Sequence, residues 1–196
     1  MDTYYTIKEA GSSKHTEKMS RFLAFALPVK SAEEAKTEIK RWQNRYHDAR
    51  HLCWAYMLGP ERGEWQLNDN GEPSGTAGKP ILGQINSLGL TDVLVMVVRY
   101  FGGIKPGTSG LIAAYREAAR LALESAGVKE CRRMARLEIA FGYEVADRVM
   151  KLVKHPDVVV VSKSFDNLCR AEIEIPLSLE AEFRGRISKI EGAQMR

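Results

Sequence analysis

Residues 92–126 read DVLVMVVRYFGGIKPGTSGLIAAYREAARLALESA, and three structural signals follow one another along them. Asp92 to Tyr100 is the most apolar strand of the chain, of the kind buried on both faces. It runs into a glycine-rich loop, Phe101 to Gly110, and then into a strong helix from Leu111 to Ala126 that stops at Gly127. The same order occurs just upstream. His51 to Leu58 (HLCWAYML) is a strand with His51, Cys53, Ala55 and Met57 on one face and Leu52, Trp54, Tyr56 and Leu58 on the other. A long stretch without period, Gly59 to Thr76, leads to a short helix marked by Ile81, Leu82, Ile85 and Leu88, with Gly78-Lys79-Pro80 at its entry. A loop of that length inside a domain is more often functional than not.

Further out, Tyr4 to Lys8 alternates as a strand and Ser20 to Val29 is a second extended run. Ser31-Ala32-Glu33-Glu34 is a capping box that opens a helix, with Ala35, Ile39, Trp42 and Tyr46 at helical spacing. On the C-terminal side the composition changes around Val128 to Met134. From there strand 135–141, helix 144–154, strands 158–164 and 169–175 and helix 179–190 give the order βαββα, most of a ferredoxin-like sandwich. A final strand is expected in or beyond the last few residues. The fold class is α/β (α+β), with an N-terminal domain over 1–130 and a C-terminal domain over 131–196.

The 196 residues are 44% hydrophobic and 28% charged, the balance of a globular protein. A net charge of +4 permits a polyanionic partner without requiring one. Cys53, Cys131 and Cys169 lie far apart, which excludes a disulfide framework and a zinc ribbon and favours a reducing compartment. The start has no basic and apolar leader, and the longest apolar run, Val93 to Val98, is too short to span a membrane. A cytoplasmic protein is expected.

The chemistry sits in two loops, Asp69–Pro80 (DNGEPSGTAGKP) and Tyr100–Gly110 (YFGGIKPGTSG). Each precedes a helix, so each is expected to offer free backbone amides and the positive end of a helix dipole. Glycines let an anion approach the backbone closely, and Lys79, Arg99 and Lys105 stand beside them. The expected anion or nucleic-acid site therefore comprises these three cations with Gly102, Gly103, Gly107 and Gly110, joined by His51 and Tyr100. Glu72, Ser74, Gly75 and Thr76 form the first loop's part. The structural alternative is that the glycines only make tight turns.

Sharper motifs fail. Gly102 to Ser109 spells G-x-x-x-x-G-T-S, but Thr108 stands where a nucleotide P-loop has its lysine. Asn68 to Glu72 looks like a calcium loop, yet Ala77 stands where the bidentate Glu belongs. His51 and Cys53 share a strand face, about 6–7 Å apart at strand spacing, long for a proton transfer. His15, His47 and His155 show no metal-ligand spacing. No catalytic residue, metal or cofactor is assigned. Glu61, Glu64, Asp69 and Glu72 read as solvated loop charges. Trp65 reads either as a stacking platform or as buried beneath its own loop.

DNGEPSGTAGKPIL followed by VLVMVVRYFGGIKPGTSGLIAAYREAA resembles the paired signature of the YigZ/IMPACT family. The usual signature has Asp at position 70, Leu at 106 and Gly at 109, where this chain has Asn70, Pro106 and Ser109. Ser20–Val29, His51–Tyr56 and the C-terminal βαββα unit fit as well. The resemblance implies an N-terminal two-layer α/β domain shared with a small-subunit ribosomal protein, the translocase elongation factor's fourth domain and small-metabolite kinases. The C-terminal unit is similar to the translocase's last domain. Family members are implicated in translation control, the eukaryotic ones by competing for an activator of a starvation-responsive initiation-factor kinase. The reading that follows is a regulatory protein that binds RNA or a ribosomal or translation-factor partner through the two loops. The alternatives are a phosphometabolite- or nucleotide-binding enzyme using the same loops, and a protein-interaction module.

Overall fold

The computed structural model describes residues 2–196. The chain divides into two compact units, one formed by Tyr4–Cys131 and the other by Asp2, Thr3 and Arg132–Arg196.

The larger unit is organised by β6 (Val93–Tyr100), the middle strand of a five-stranded antiparallel sheet. From one edge to the other the order is β2 (Gly11–Glu17), β3 (Ser20–Pro28), β6, β4 (His51–Leu58) and β5 (Glu64–Asn68). Val93 to Val98 are fully buried because both faces of β6 are covered. Val93, Val95 and Val97 pack with Cys53, Ala55 and Met57 under α2 (Gly78–Ser87) and α3 (Gly107–Ala126). Leu94, Met96 and Val98 pack with Leu52, Trp54 and Tyr56 against α1 (Ala32–Arg45). The face assignment read from the alternation of β4 therefore holds. Helices lie on both sides of the sheet, so α1 adds one layer to the two expected. β1 (Thr3–Ile7) pairs with β7 (Val128–Arg132) in a separate ribbon.

The capping box of α1 forms, with the Glu34 amide donating to Ser31 Oγ at 3.1 Å. The Glu34 carboxylate reaches back one residue further than expected, to the Lys30 amide at 2.6 Å.

Four segments differ from the sequence expectation, the first being β7, which lies in the stretch read only as a change of composition. Glu64–Asn68, inside the aperiodic stretch, is a strand that pairs with β4 from Trp54↔Asn68 to Leu58↔Glu64. Only Trp65 and Leu67 carry its alternation, and the open edge of β4 supplies the remaining order. Gly11–Glu17 is a polar edge strand (GSSKHTE) whose apolar signal is absent, and its whole length pairs with Ser20–Ala26 of β3. α3 begins at Gly107, four positions before the expected Leu111, so the end of the second glycine-rich loop is the helix's first turn.

In the smaller unit, β8 (Met134–Phe141), α4 (Ala146–Val153), β9 (Val159–Phe165), β10 (Cys169–Pro176), α5 (Glu180–Ile187) and β11 (Ala193–Met195) follow in order. The sheet order β11-β8-β10-β9 is antiparallel throughout, the ferredoxin-like arrangement, with the final strand at the end of the chain where it was expected. α4 and α5 cover one face, where Val149, Val153, Phe183 and Ile187 meet Leu137, Ile139, Phe141 and Ile173. Among the described residues no helix is long and apolar enough to cross a membrane.

Candidate functional site

The two glycine-rich loops serve their helices differently. The loop before α2 uses a carboxylate of its own. Asp69 accepts the amides of Gly75 at 2.8 Å, Ala77 at 3.0 Å and Gly78 at 2.8 Å. Burial raises the Asp69 carboxyl's pKa, but these three amides and the Lys79 charge outweigh it and hold the group below the usual carboxylate range. The amino end of α2 is thus neutralised from inside. Asp69, read as a solvated charge, is a helix cap placed six to nine residues ahead of the amides it holds. That distance is why no capping pattern marked it.

The amino end of α3 is open. Its N-cap position is Pro106, and among the described residues no side chain caps the first turn. The amides of that turn have no acceptor within the helix. Gly107 supplies the change of direction, with φ +76. This end borders a cleft of about 390 Å³ walled by Arg50, His51, Lys105 and Thr108, with Pro73, Phe101 and Leu111 as apolar surface.

Arg99 and Glu72 form the floor. The Arg99 guanidinium bonds both Glu72 carboxylate oxygens through Nη1, at 2.7 and 3.0 Å. Their side chains are 8% and 3% exposed, so this is a buried ion pair. Tyr115, from α3, donates its hydroxyl to Glu72 Oε1 at 2.8 Å. The guanidinium also lies over the rings of Phe22 and Phe101, each at 5.7 Å, and its Nε is buried without a partner among the described residues. Glu72 is therefore no solvated charge: it anchors the first loop onto the sheet and compensates Arg99.

His51 stands directly across from Arg99 in the β4–β6 register. Its Nδ1 lies 2.8 Å from the Asn70 carbonyl, which can only accept, so Nδ1 carries the proton and Nε2 is left for a ligand. Cys53, its neighbour on the same face, turns away from it. The Cys53 thiol donates to the Asp69 carbonyl at 2.9 Å, and its sulfur lies 3.3 Å from the Tyr115 hydroxyl oxygen. Burial pushes its pKa up to about 12, so it is a neutral thiol at physiological pH. Burial likewise raises the Tyr115 hydroxyl's pKa.

The cleft gathers His51, Arg99, Lys105, Gly107 and Glu72 from the residues expected at an anion site. The others lie elsewhere. Tyr100 projects to the opposite face, with its hydroxyl on Asp48 at 2.8 Å and its ring beneath Arg21. Gly102 packs on the turn before β3: its amide donates to Ser20 Oγ at 3.2 Å, and a Cβ there would collide with the Met19 carbonyl. Gly103 is an exposed turn glycine, and Gly110 lies in the first turn of α3 beside Pro106. Ser74 is exposed on the loop, Gly75 donates to Asp69, and Thr76 is buried with its hydroxyl on the Pro73 carbonyl at 2.6 Å. Lys79 borders a second cavity of about 400 Å³ between α2 and α3, together with Arg116. Trp65 is 55% exposed on edge strand β5, which removes the reading of burial beneath its own loop.

Arg50, Tyr115 and Arg116 carried no motif, and Thr108 entered only as the residue that breaks a P-loop match. Tyr115 and Arg116 look like ordinary positions of an amphipathic helix, and only the packing of α3 turns one inward and the other outward.

Residues 18–123 match the Impact N-terminal domain. The chain is 37% identical over 143 residues to the IMPACT family member YvyE of Bacillus subtilis, which covers 73% of this chain and 66% of that protein. It is 30% identical to the IMPACT family member YigZ of Escherichia coli, covering 87% of this chain and 85% of that protein. A crystal structure of a hypothetical protein superposes with a TM-score of 0.73 at 26% identity, covering 100% of this chain and 97% of that one. That agreement spans both units, and with the domain match across more than half of the sequence it shows that this chain belongs to the IMPACT family.

Proposed function

We propose that this chain is a regulatory binding protein that takes RNA, or a phosphate-bearing component of the translation machinery, in the cleft at the amino end of α3. The observation that carries this reading is the pairing of that uncapped helix end with Arg50, His51 and Lys105 on the cleft walls. Amide donors and a helix dipole meet two cations, Arg50 and Lys105, in a cleft whose one carboxylate, Glu72, is already spent on Arg99. The glycine at 107 and the small Thr108 let a phosphate reach the backbone. The Cys53–His51 pair supplies no nucleophile, since the thiol is buried, neutral and bonded elsewhere. That favours binding over covalent chemistry at this cleft.

A second reading draws on the cleft itself. Its size lies in the range of small-molecule pockets, and Phe101, Leu111 and Pro73 give it an apolar wall, which suits a phosphorylated metabolite or a nucleotide. One experiment separates the two. Affinity for a short single-stranded RNA and for a mononucleotide is measured across a salt series, with wild type and an Arg50→Ala/Lys105→Ala variant. RNA binding is expected to weaken with salt, with a log–log slope of about −0.7 per phosphate contact, and the variant is expected to show a shallower slope. Saturable mononucleotide binding with no gain from RNA supports the second reading. RNA binding that the variant leaves unchanged refutes the first.

A further inference from the structure

The cleft at α3 and the cavity holding Lys79 are separate hollows, yet one face of α3 runs between them. Thr108 borders the first, and Ile112 and Arg116 border the second. Positions 108, 112 and 116 are spaced by four, so they form one stripe along the helix surface. The second hollow holds two cations, Lys79 at the start of α2 and Arg116, around Gly75, Pro80 and Gly83. Lys79 lies along Gly75, within van der Waals reach of it. Neither Lys79 nor Arg116 has a hydrogen bond or ion pair to a carboxylate among the described residues. The next cation along α3 does: Arg120 is paired with both Glu117 and Glu124. Positive charge without a direct carboxylate partner therefore runs from Lys105 to Lys79 and Arg116 and stops there, with Asp69 acting on Lys79 only at longer range.

We infer that the two hollows are one composite site for a single strand of linked phosphates, which enters at the amino end of α3 and continues along the Thr108–Ile112–Arg116 stripe to Lys79 and Arg116. This rests on the reading of the first cleft as a phosphate site and adds the length of what it takes. Eight helical residues span about 12 Å. At about 3.4 Å per stacked nucleotide that is the reach of about three to four nucleotides. Ile112 gives a base an apolar surface midway. A mononucleotide fills only the first cleft and leaves Lys79 and Arg116 without a partner. The cation spacing thus selects a strand over a monomer.

The test titrates the full chain with 5′-phosphorylated uridine oligomers of one, two, four and eight nucleotides, using wild type, Lys105→Ala and Lys79→Ala/Arg116→Ala. Both variants change exposed or edge side chains, and circular dichroism verifies that they fold. Affinity is expected to rise by tenfold or more between the mononucleotide and the tetranucleotide and to level off by eight. Lys79→Ala/Arg116→Ala is expected to abolish that rise and to lower the salt slope for the tetranucleotide by about 0.7 per lost contact, with mononucleotide binding unchanged. Lys105→Ala is expected to weaken every length. Binding that is independent of length and indifferent to the Lys79/Arg116 changes overturns the composite site while leaving the first cleft's role standing. No binding of any oligomer by wild type overturns both.

Discussion

Removing the Glu72 carboxylate tests the centre of this architecture. Its partner Arg99 sits in the middle strand with a side chain 8% exposed, so Glu72→Ala leaves a guanidinium in the interior without its counter-charge. Breaking a buried pair by deleting one partner destabilises by about 3–5 kcal/mol. The Tyr115 hydroxyl loses its acceptor at the same time, which adds to the same loss instead of standing apart from it. For a unit of this size, about 3–5 °C per kcal/mol puts the expected drop in Tm at about 10–20 °C. Trp42, Trp54 and Trp65 all lie within Tyr4–Cys131, so tryptophan fluorescence in urea follows that unit alone. Glu72→Gln keeps the hydrogen-bond acceptor and is expected to lose less. Glu72→Ala/Arg99→Met removes both charges, and its stability is expected to lie within about 2 kcal/mol of wild type, because an apolar replacement of a buried pair is often neutral. A loss below about 1 kcal/mol in Glu72→Ala, or a double variant weaker than the single one, refutes the claim that this pair is desolvated and compensatory.

Further outcomes follow from the Asp69 cap and from the cysteines. The Asp69 carboxyl titrates below its unfolded value, so its stabilisation is present above about pH 4 and is lost as pH falls through the lower folded pKa. Asp69→Asn is therefore expected to lower stability at neutral pH and to flatten the acid limb of a stability–pH curve, and an unchanged acid limb contradicts the cap. The Cys53 pKa is raised, so its contribution is complete below about pH 9 and declines as pH rises towards the folded value of about 12. Iodoacetamide at pH 8 is expected to modify the half-buried Cys131 in the native chain and to reach the buried Cys53 and Cys169 only in denaturant. Native alkylation of Cys53, read by mass spectrometry, contradicts the buried and bonded thiol.

Much of the architecture was legible because it rests on local periodicity. The alternation of β4, the apolar run of β6, the capping box of α1 and each element of the βαββα order are written within about ten residues. The family was legible from the two loop motifs because glycine and proline placements are local too. What escaped were β2, β5 and β7, whose polar side chains carry almost no alternation and whose order comes from hydrogen bonds to a neighbour's open edge. The sequence also gave the two loops equal standing, since both place glycines ahead of a helix.

The difference between those loops belongs to the tertiary structure. Asp69 folds back onto the amides of α2 and closes that end, whereas Pro106 offers α3 no side-chain acceptor and leaves its end open. Likewise Arg99 and Tyr100 are adjacent in sequence, but the pleat sends one into the cleft floor and the other to the opposite face. Sequence alone determined which segments are strands and helices wherever burial repeats at their period, and that glycines and cations accompany the helix starts. Which helix end stays free, which carboxylates are spent internally and which cations share a surface were decided only by packing, because a charge's availability depends on neighbours brought close from distant parts of the chain.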